Sequence, residues 1–472
     1  MPEDSARDEF LRRLRDAQHH LDLGFEQLPP AAQPLLDDRA AKILHAAAGR
    51  LRDDDPYGHP LYAGQMLKPP HPIARAAYSL AMSVNPNNHA LDGGRASSAM
   101  ELEAVAALAG IFGWNGTPAQ PGHLGHLTSG GTLANLEALW VAGQIAEQEG
   151  RALTVAASDQ AHYTHSRISA VLKLPFTPIR SDGTGRMDLN ALEAELRGGR
   201  IGTVVATLGT TAGGAVDPLD GILALRERYR FRLHVDAAYG GYFTLARNLS
   251  FDARAAFDAL NHPAVDSIVI DPHKHGLQPY GCGCVLFHDP SAGQFYKHDS
   301  PYTYFTSREL HLGEISLECS RAGASAVALW ATQQLLPYEI GGEFARGLES
   351  GREAAFKLHQ RLAADARFLV PFSPPQLDIV FWAVRGDSVQ ESSARAQTIF
   401  DEARRRNLYL ALAKLPRRFF PAEGWTEDSS SGANSVTCLR SVQMKPEHLV
   451  WADEIWRRLD AASAAVLQCE KI

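Results

Sequence analysis

Residues 231–243 read FRLHVDAAYGGYF and residues 267–287 read SIVIDPHKHGLQPYGCGCVLF. Each opens on a short β-rich run that ends in a carboxylate: Leu233 to Val235 lead to Asp236, and Ser267 to Ile270 lead to Asp271. The second run turns at Pro272 and presents His273 and Lys274. Short buried runs with charge at their tips, set among helical patterns, predict an open, mainly parallel α/β sheet with its chemistry at the carboxyl ends of the strands. An aspartate capping a turn and a lysine in a loop are each ordinary. Together they suggest a division of labour. A partly buried lysine is desolvated, so its amine is expected to lose its proton more easily and to attack a carbonyl as a Schiff-base former. A buried carboxylate can hold a proton on a ring nitrogen and keep that ring an electron sink.

Working outward, the same strand-tip pattern recurs. Thr203 to Thr207 run into LGTTAGGAVDPL, which offers the hydroxyls of Thr210 and Thr211 and an open backbone at Gly213-Gly214. Thr154 to Ala157 run into SDQAHYTHSRISAVLKL, where His162 follows the tip and His165 lies about one helical turn on. His165 reads as the bystander of the two. Upstream, GHLTSGGTLANLEALWVAG (residues 125–143) passes from small residues into a helix. Free backbone N–H groups at such a start suit a phosphate, and no Gly-Lys-Ser/Thr follows to make a Walker loop.

The flanks are less decisive. Residues 5–50 have helical periodicity broken by Pro29, Pro30 and Pro34, in an arm too small to fold alone. Residues 55–92 are rich in Pro, His, Tyr and Asn, with a turn at Asn85-Pro86-Asn87-Asn88. Ser98-x-x-Glu101 reads as a capping box ahead of a helix over 99–112. Cys282 and Cys284 read as core thiols on one strand face, and no metal set stands out. Beyond 345 the pattern is helix, strand (377–384), helix (392–406), strand (408–412), strand (436–442), helix (447–467), a smaller α/β unit. Its Arg440 either faces the crevice, to pair with a carboxylate, or lies on the surface.

A chain of 472 residues exceeds one core and divides into 1–90, 91–345 and 346–472. A net charge of −8 without a basic stripe argues against nucleic acid as a partner. Five cysteines with neither CxxC spacing nor a disulfide framework suggest a reducing compartment. The charged start MPEDSARDEFLRRLRD and the lack of a membrane-length apolar run make a cytoplasmic location, with no membrane partner, the expectation.

HVDAAYGGYF followed by DPHKHG closely resembles the group II pyridoxal-phosphate (PLP) decarboxylases of amino acids, the aromatic amino acid, glutamate, histidine and tyrosine/aspartate decarboxylases. SGGT-x-A-N, S-x-x-AH and ATxGTT match the same family in the right order. The resemblance implies a fold-type I architecture and decarboxylation of an L-amino acid to its amine and CO2. It makes Lys274 the Schiff-base lysine, Asp236 the ring-nitrogen partner, and Ala238 a packing surface for the ring. His162 stacks on that ring, and Asp271 and His273 lie near the cofactor. Gly130, Gly131 and Thr132 cradle the phosphate, and Thr211 touches the cofactor region. Asn88, Arg321 and Arg440 become substrate-side residues. In the segment 296–321, Tyr302 and Tyr304, with His311 as a third, are candidates for the acid that returns a proton to the product carbon. The helical arm implies a homodimer with shared active sites. A sphingosine-phosphate-lyase-like reaction or an aminotransferase uses much the same apparatus and stays the alternative.

Overall fold

The computed structural model describes residues 2–29, 35–89, 93–116, 122–297, 316–371, 373–421, 425 and 434–469. Seven strands form the larger sheet: β1 (Leu124–Thr128), β2 (Thr154–Ser158), β3 (Phe176–Ile179), β4 (Ile201–Thr207), β5 (Arg232–Asp236), β6 (Ser267–Ile270) and β7 (Gly283–Phe287). Their order is β1-β7-β6-β5-β4-β2-β3. The strands from β3 to β6 in that order pair in parallel, while β7 is antiparallel to both β6 and β1. Every residue of β4, β6 and β7 is buried. Strands covered on both faces need near-continuous apolar runs, and VVA and SIVI supply them. Register sets Thr207 beside Asp236, and Asp236 beside Val269, so the tips of β4, β5 and β6 open on the same edge.

The smaller sheet has the order β10-β11-β9-β8, from β8 (Phe368–Leu369), β9 (Ile379–Val384), β10 (Ala411–Pro416) and β11 (Ser435–Val442). Helices Glu343–Ala363, Val389–Arg405 and His448–Cys469 cover it around Trp382, Leu439 and Leu459. Residues 61–63 are clipped to it: Tyr409 donates its N–H to Leu61 (3.0 Å), Ala63 to Tyr409 (2.9 Å), and Val442 to Ala63 (2.8 Å).

Two local expectations are corrected. Helix Arg95–Ile111 starts at Gly94, with no side-chain cap, so Ser98 is a buried residue of its first turns and no capping box exists. Glu101 turns inward instead, to an ion pair described below. The strand expected over 408–412 pairs with β11 only from Ala411, because Asn407 leaves the helix at a left-handed φ of 56° and Tyr409 gives its main-chain N–H and carbonyl to Leu61 and Ala63 instead. In the amino-terminal arm, helix Asp38–Leu51 buries none of its residues, and Ile43, Leu44 and Leu51 are exposed. Among the described residues no helix is long and apolar enough to cross a membrane.

Candidate active site

The parallel tips and the start of helix Gly131–Gln148 enclose a cavity of about 480 Å³. Gly130, Gly131, Thr132, His162, Thr211, Asp236, Ala238, Asp271, His273 and Lys274 all line it. Residues from five separate strand exits therefore meet in one volume.

At the end of β5, Asp236 is almost fully buried. Its Oδ1 accepts the Ala238 N–H (3.1 Å), and its Oδ2 lies 2.8 Å from His165 Nε2. A carboxylate can only accept, so Nε2 carries the hydrogen. Burial alone raises the Asp236 carboxyl, but the His165 bond and the nearby Lys274 charge outweigh it and hold the group below the ordinary carboxylate range. His165, read from sequence as a bystander, is thus the direct partner of Asp236. Its ring is fully buried, and one turn of helix Thr164–Val171 aims it at the neighbouring strand.

Lys274 overturns another expectation. Burial does pull its amine down, yet Asp271, whose Oδ2 lies 3.0 Å from Nζ, and Asp236 more than offset this. The amine is held above its ordinary value, because the charges of two nearby carboxylates outweigh the desolvation. His162 goes the other way: burial keeps its imidazole below the ordinary range, while its Nδ1 pairs with the Thr164 hydroxyl and accepts the Thr164 N–H (3.3 Å).

The helix start is built for close approach. Gly130 has φ 151°, and a Cβ on Gly131 would lie 2.6 Å from Asp271 Oδ2. Asn135, a turn along, donates to the Gly131 carbonyl (2.8 Å) and accepts from His234 Nε2 (2.8 Å), while His234 Nδ1 meets Ser267 Oγ (2.9 Å). That chain ties the helix to β5 and β6. Burial, reinforced by His165, draws His234 down to about 3, so it serves as a neutral strut. Asp217 accepts the N–H groups of Met187 (2.7 Å) and Thr207 (2.8 Å) and so holds the β4 exit. Thr207 also lines the cavity, and its Oγ1, like Asp271 Oδ1 and His273 Nδ1, makes no hydrogen bond among the described residues.

Three expected substrate-side residues do not line this cavity. Asn88 and Arg321 are both buried in a scaffold around Glu101. Glu101 pairs with Arg321 Nη1, accepts from Asn88 Nδ2 (2.6 Å) and accepts the Leu127 N–H (3.0 Å). Arg321 further donates to the carbonyls of Leu127 (3.1 Å) and Asn88 (3.0 Å). Arg440 is buried, not on the surface, and meets main-chain acceptors: Thr211 (2.6 Å), Ala212 (3.0 Å) and Gly64 (3.3 Å), with Gln65 Oε1 at 3.1 Å. Buried cations need such partners, and here the scaffold supplies them. Tyr302, Tyr304 and His311 lie outside the described residues.

Residues 59–384 match the family model of the pyridoxal-dependent decarboxylase conserved domain. The chain belongs to this family. An L-tyrosine decarboxylase of Enterococcus faecium is 27% identical over 458 residues, 74% of this chain and 72% of that protein. A probable L-tyrosine/L-aspartate decarboxylase of Methanocella arvoryzae is 30% identical over 283 residues, 60% of this chain and 70% of that protein. Solved structures of mouse CSAD (TM-score 0.75, 19% identity, 98% of this chain and 99% of that one) and of Oryza sativa TDC with PLP and tryptamine (TM-score 0.76, 17% identity, 98% and 96%) share the fold. The protein is a PLP-dependent carboxy-lyase acting on an amino acid. Its cavity fits the cofactor: an amine, a carboxylate held ionised, and a glycine-lined helix start face one another, with unpaired polar atoms among them.

Proposed function

We propose that this decarboxylase acts on an aromatic L-amino acid, L-tyrosine first, as a cytoplasmic homodimer, with the residues of the 480 Å³ cavity holding PLP. The observation that carries the reading is the meeting of Lys274 and Asp236 in one cavity whose described lining contains no arginine. An acidic substrate side chain would have to enter without a guanidinium partner there, whereas an aromatic one needs none. The names of the relatives support the same choice.

In this reading Lys274 would hold the cofactor through its aldehyde, and the N–H groups around Gly130, Gly131 and Thr132 would take the phosphate. Asp236, kept ionised by His165, holds a proton at the ring nitrogen. Ala238 and His162 would pack against the ring, and Thr211, Asp271 and His273 would line the rest of its site. When bound, PLP supplies the electron sink for the bond broken at the substrate α-carbon. The protein's part is to hold the Cα–carboxylate bond in the productive orientation and to exclude water from a leaving carboxylate. Arg440 sets the height of Thr211 through its carbonyl, and Tyr302 or Tyr304 returns the proton to Cα. Of the division into 1–90, 91–345 and 346–472, the two separate sheets support the distinction between the second and third units. The exposed Ile43, Leu44 and Leu51 of the arm, with Leu35 and Leu36 before it, support burial against a second copy.

The test is to incubate PLP-loaded enzyme with L-tyrosine, L-phenylalanine, L-tryptophan, L-aspartate and L-glutamate, and to measure CO2 and amine. Tyramine with stoichiometric CO2 is expected. Turnover of the acidic substrates alone would overturn the substrate assignment, and sizing as an active monomer would overturn the dimer.

A further inference from the structure

Behind the Lys274 turn lies a second cavity, of about 600 Å³, separate in its lining from the first. Consecutive residues divide between the two: Lys274 lines the first cavity, while His275 and Leu277 line the second. The partition is strained, because Leu277 takes φ 65°, a conformation uncommon for a residue with a Cβ. Its carbonyl accepts the His71 N–H (2.9 Å), which holds the turn against the opposite wall. His275 is buried, and neither of its ring nitrogens makes a hydrogen bond among the described residues. Its Nε2 lies 3.3 Å from Asp378 Oδ2, and Asp378 Oδ1 accepts the hydroxyl of Tyr239 (2.6 Å), a residue that lines the first cavity. A line of buried polar side chains, joined by the Tyr239–Asp378 hydrogen bond and the close approach of Asp378 to His275, therefore runs between the two volumes.

The second cavity has the composition of a small-molecule site. Leu277, Leu336, Phe344 and Met444 provide apolar walls. Lys68 and Lys445 bring two amines, and Glu343 and Glu447 bring exposed carboxylates, with Arg346 beside them. The Lys68 amine has one main-chain contact, the Met444 carbonyl at 3.4 Å, and Lys445 Nζ reaches the Tyr62 carbonyl at 2.6 Å. Burial draws Lys68 down to about 8 and Lys445 to about 7, so both amines gain from an anionic partner. A cavity with amines, carboxylates and apolar walls is complementary to a molecule that carries all three features.

We propose that this second cavity is a regulatory site for a zwitterionic amino acid with an apolar side chain, whose carboxylate meets Lys68 and Lys445, whose ammonium meets the glutamates, and whose binding acts on catalysis through the strained turn that carries Lys274. The site is distinct from the substrate cavity, so its ligand is bound and released unchanged.

The probe is N,N,N-trimethyl-L-phenylalanine, whose quaternary nitrogen cannot condense with an aldehyde. Calorimetry on PLP-loaded enzyme is expected to give a single saturable site per chain. Lys68→Gln and Lys445→Gln are each expected to weaken it about tenfold or more, the loss of one charged contact. 3-Phenylpropanoate, which lacks the ammonium, is expected to bind about as weakly. In rate assays with wild-type enzyme the probe is expected to change kcat. Absence of saturable binding, strict competition with substrate, or unaltered affinity in both lysine variants would each overturn the proposal. Should the variants not fold, acylation of Lys68 in the wild type, read by mass spectrometry, decides: protection by the probe supports the site and lack of protection refutes it. Calorimetry and footprinting need no turnover, so their outcome is independent of which amino acid is the substrate.

Discussion

Replacing His165 with phenylalanine removes one hydrogen bond and leaves a similar volume. In the native protein the His165 Nε2–Asp236 Oδ2 contact of 2.8 Å offsets the burial that would otherwise raise the carboxyl. A hydrogen bond to a charged group contributes about 1.5–3 kcal/mol. At about 1.4 kcal/mol per pKa unit, its loss lifts Asp236 by roughly one to two units. The sign follows from the depressed native value. Ionised Asp236 is present at every pH above its folded pKa and is lost only as pH falls through it, so the native acid limb lies below the ordinary carboxylate range. In His165→Phe that limb moves up. If Asp236 fixes the proton on the cofactor ring, kcat also falls by about 10- to 100-fold at neutral pH. The assay is initial CO2 release from about pH 2 to 8, with cofactor absorbance to follow the ring proton and thermal melts to verify folding. His165→Gln, which keeps an N–H donor on a shorter side chain, should recover part of the loss. A folded His165→Phe enzyme with kcat within about twofold of native and an unshifted acid limb would refute the link from His165 through Asp236 to the cofactor.

Other substitutions test other parts of the site. Gly131→Ala places a Cβ 2.6 Å from Asp271 Oδ2; the overpacking, about 1–3 kcal/mol, should weaken PLP binding by roughly 5- to 100-fold in an equilibrium titration. Arg321→Met strips Glu101 of its buried cation and should cost about 3–5 kcal/mol in denaturant unfolding of the PLP-free chain. Asp217→Ala orphans the N–H groups of Met187 and Thr207, at about 1–3 kcal/mol each, and lowers Tm. Burial raises the Asp217 carboxyl to about 7, so its stabilising contribution is complete below the unfolded value and is lost as pH rises through about 7; the Tm gap between native and variant should narrow over that window. Because its neighbouring carboxylates hold Lys274 above its ordinary value, PLP uptake by the cofactor-free enzyme should quicken steadily with pH from 7 to 9 in stopped-flow absorbance.

The order of strand tips, the glycine-rich helix start and the presence of Asp236 and Lys274 in one cavity were legible in the one-dimensional chain. They depend on local rules: β-branched runs ending in charge, small residues at a helix start, turn residues at Pro272. What a side chain does once it arrives depends on neighbours far away in sequence. His165 finds Asp236 across 71 positions only because the fold brings the first turn of helix Thr164–Val171 within reach of the end of β5. Glu101 looked like a cap and became the counter-ion of Arg321, 220 positions on. Lys274 looked desolvated and is instead held protonated, since net electrostatics sums every nearby charge, and Asp271 and Asp236 reach it through the fold. The local sequence therefore determined the strands, the turns and the chemical vocabulary of the cavity. The tertiary structure decided which charges face each other, because in a buried site of low dielectric the strength of each contact depends on distance and exclusion of water, and neither is written in residue order.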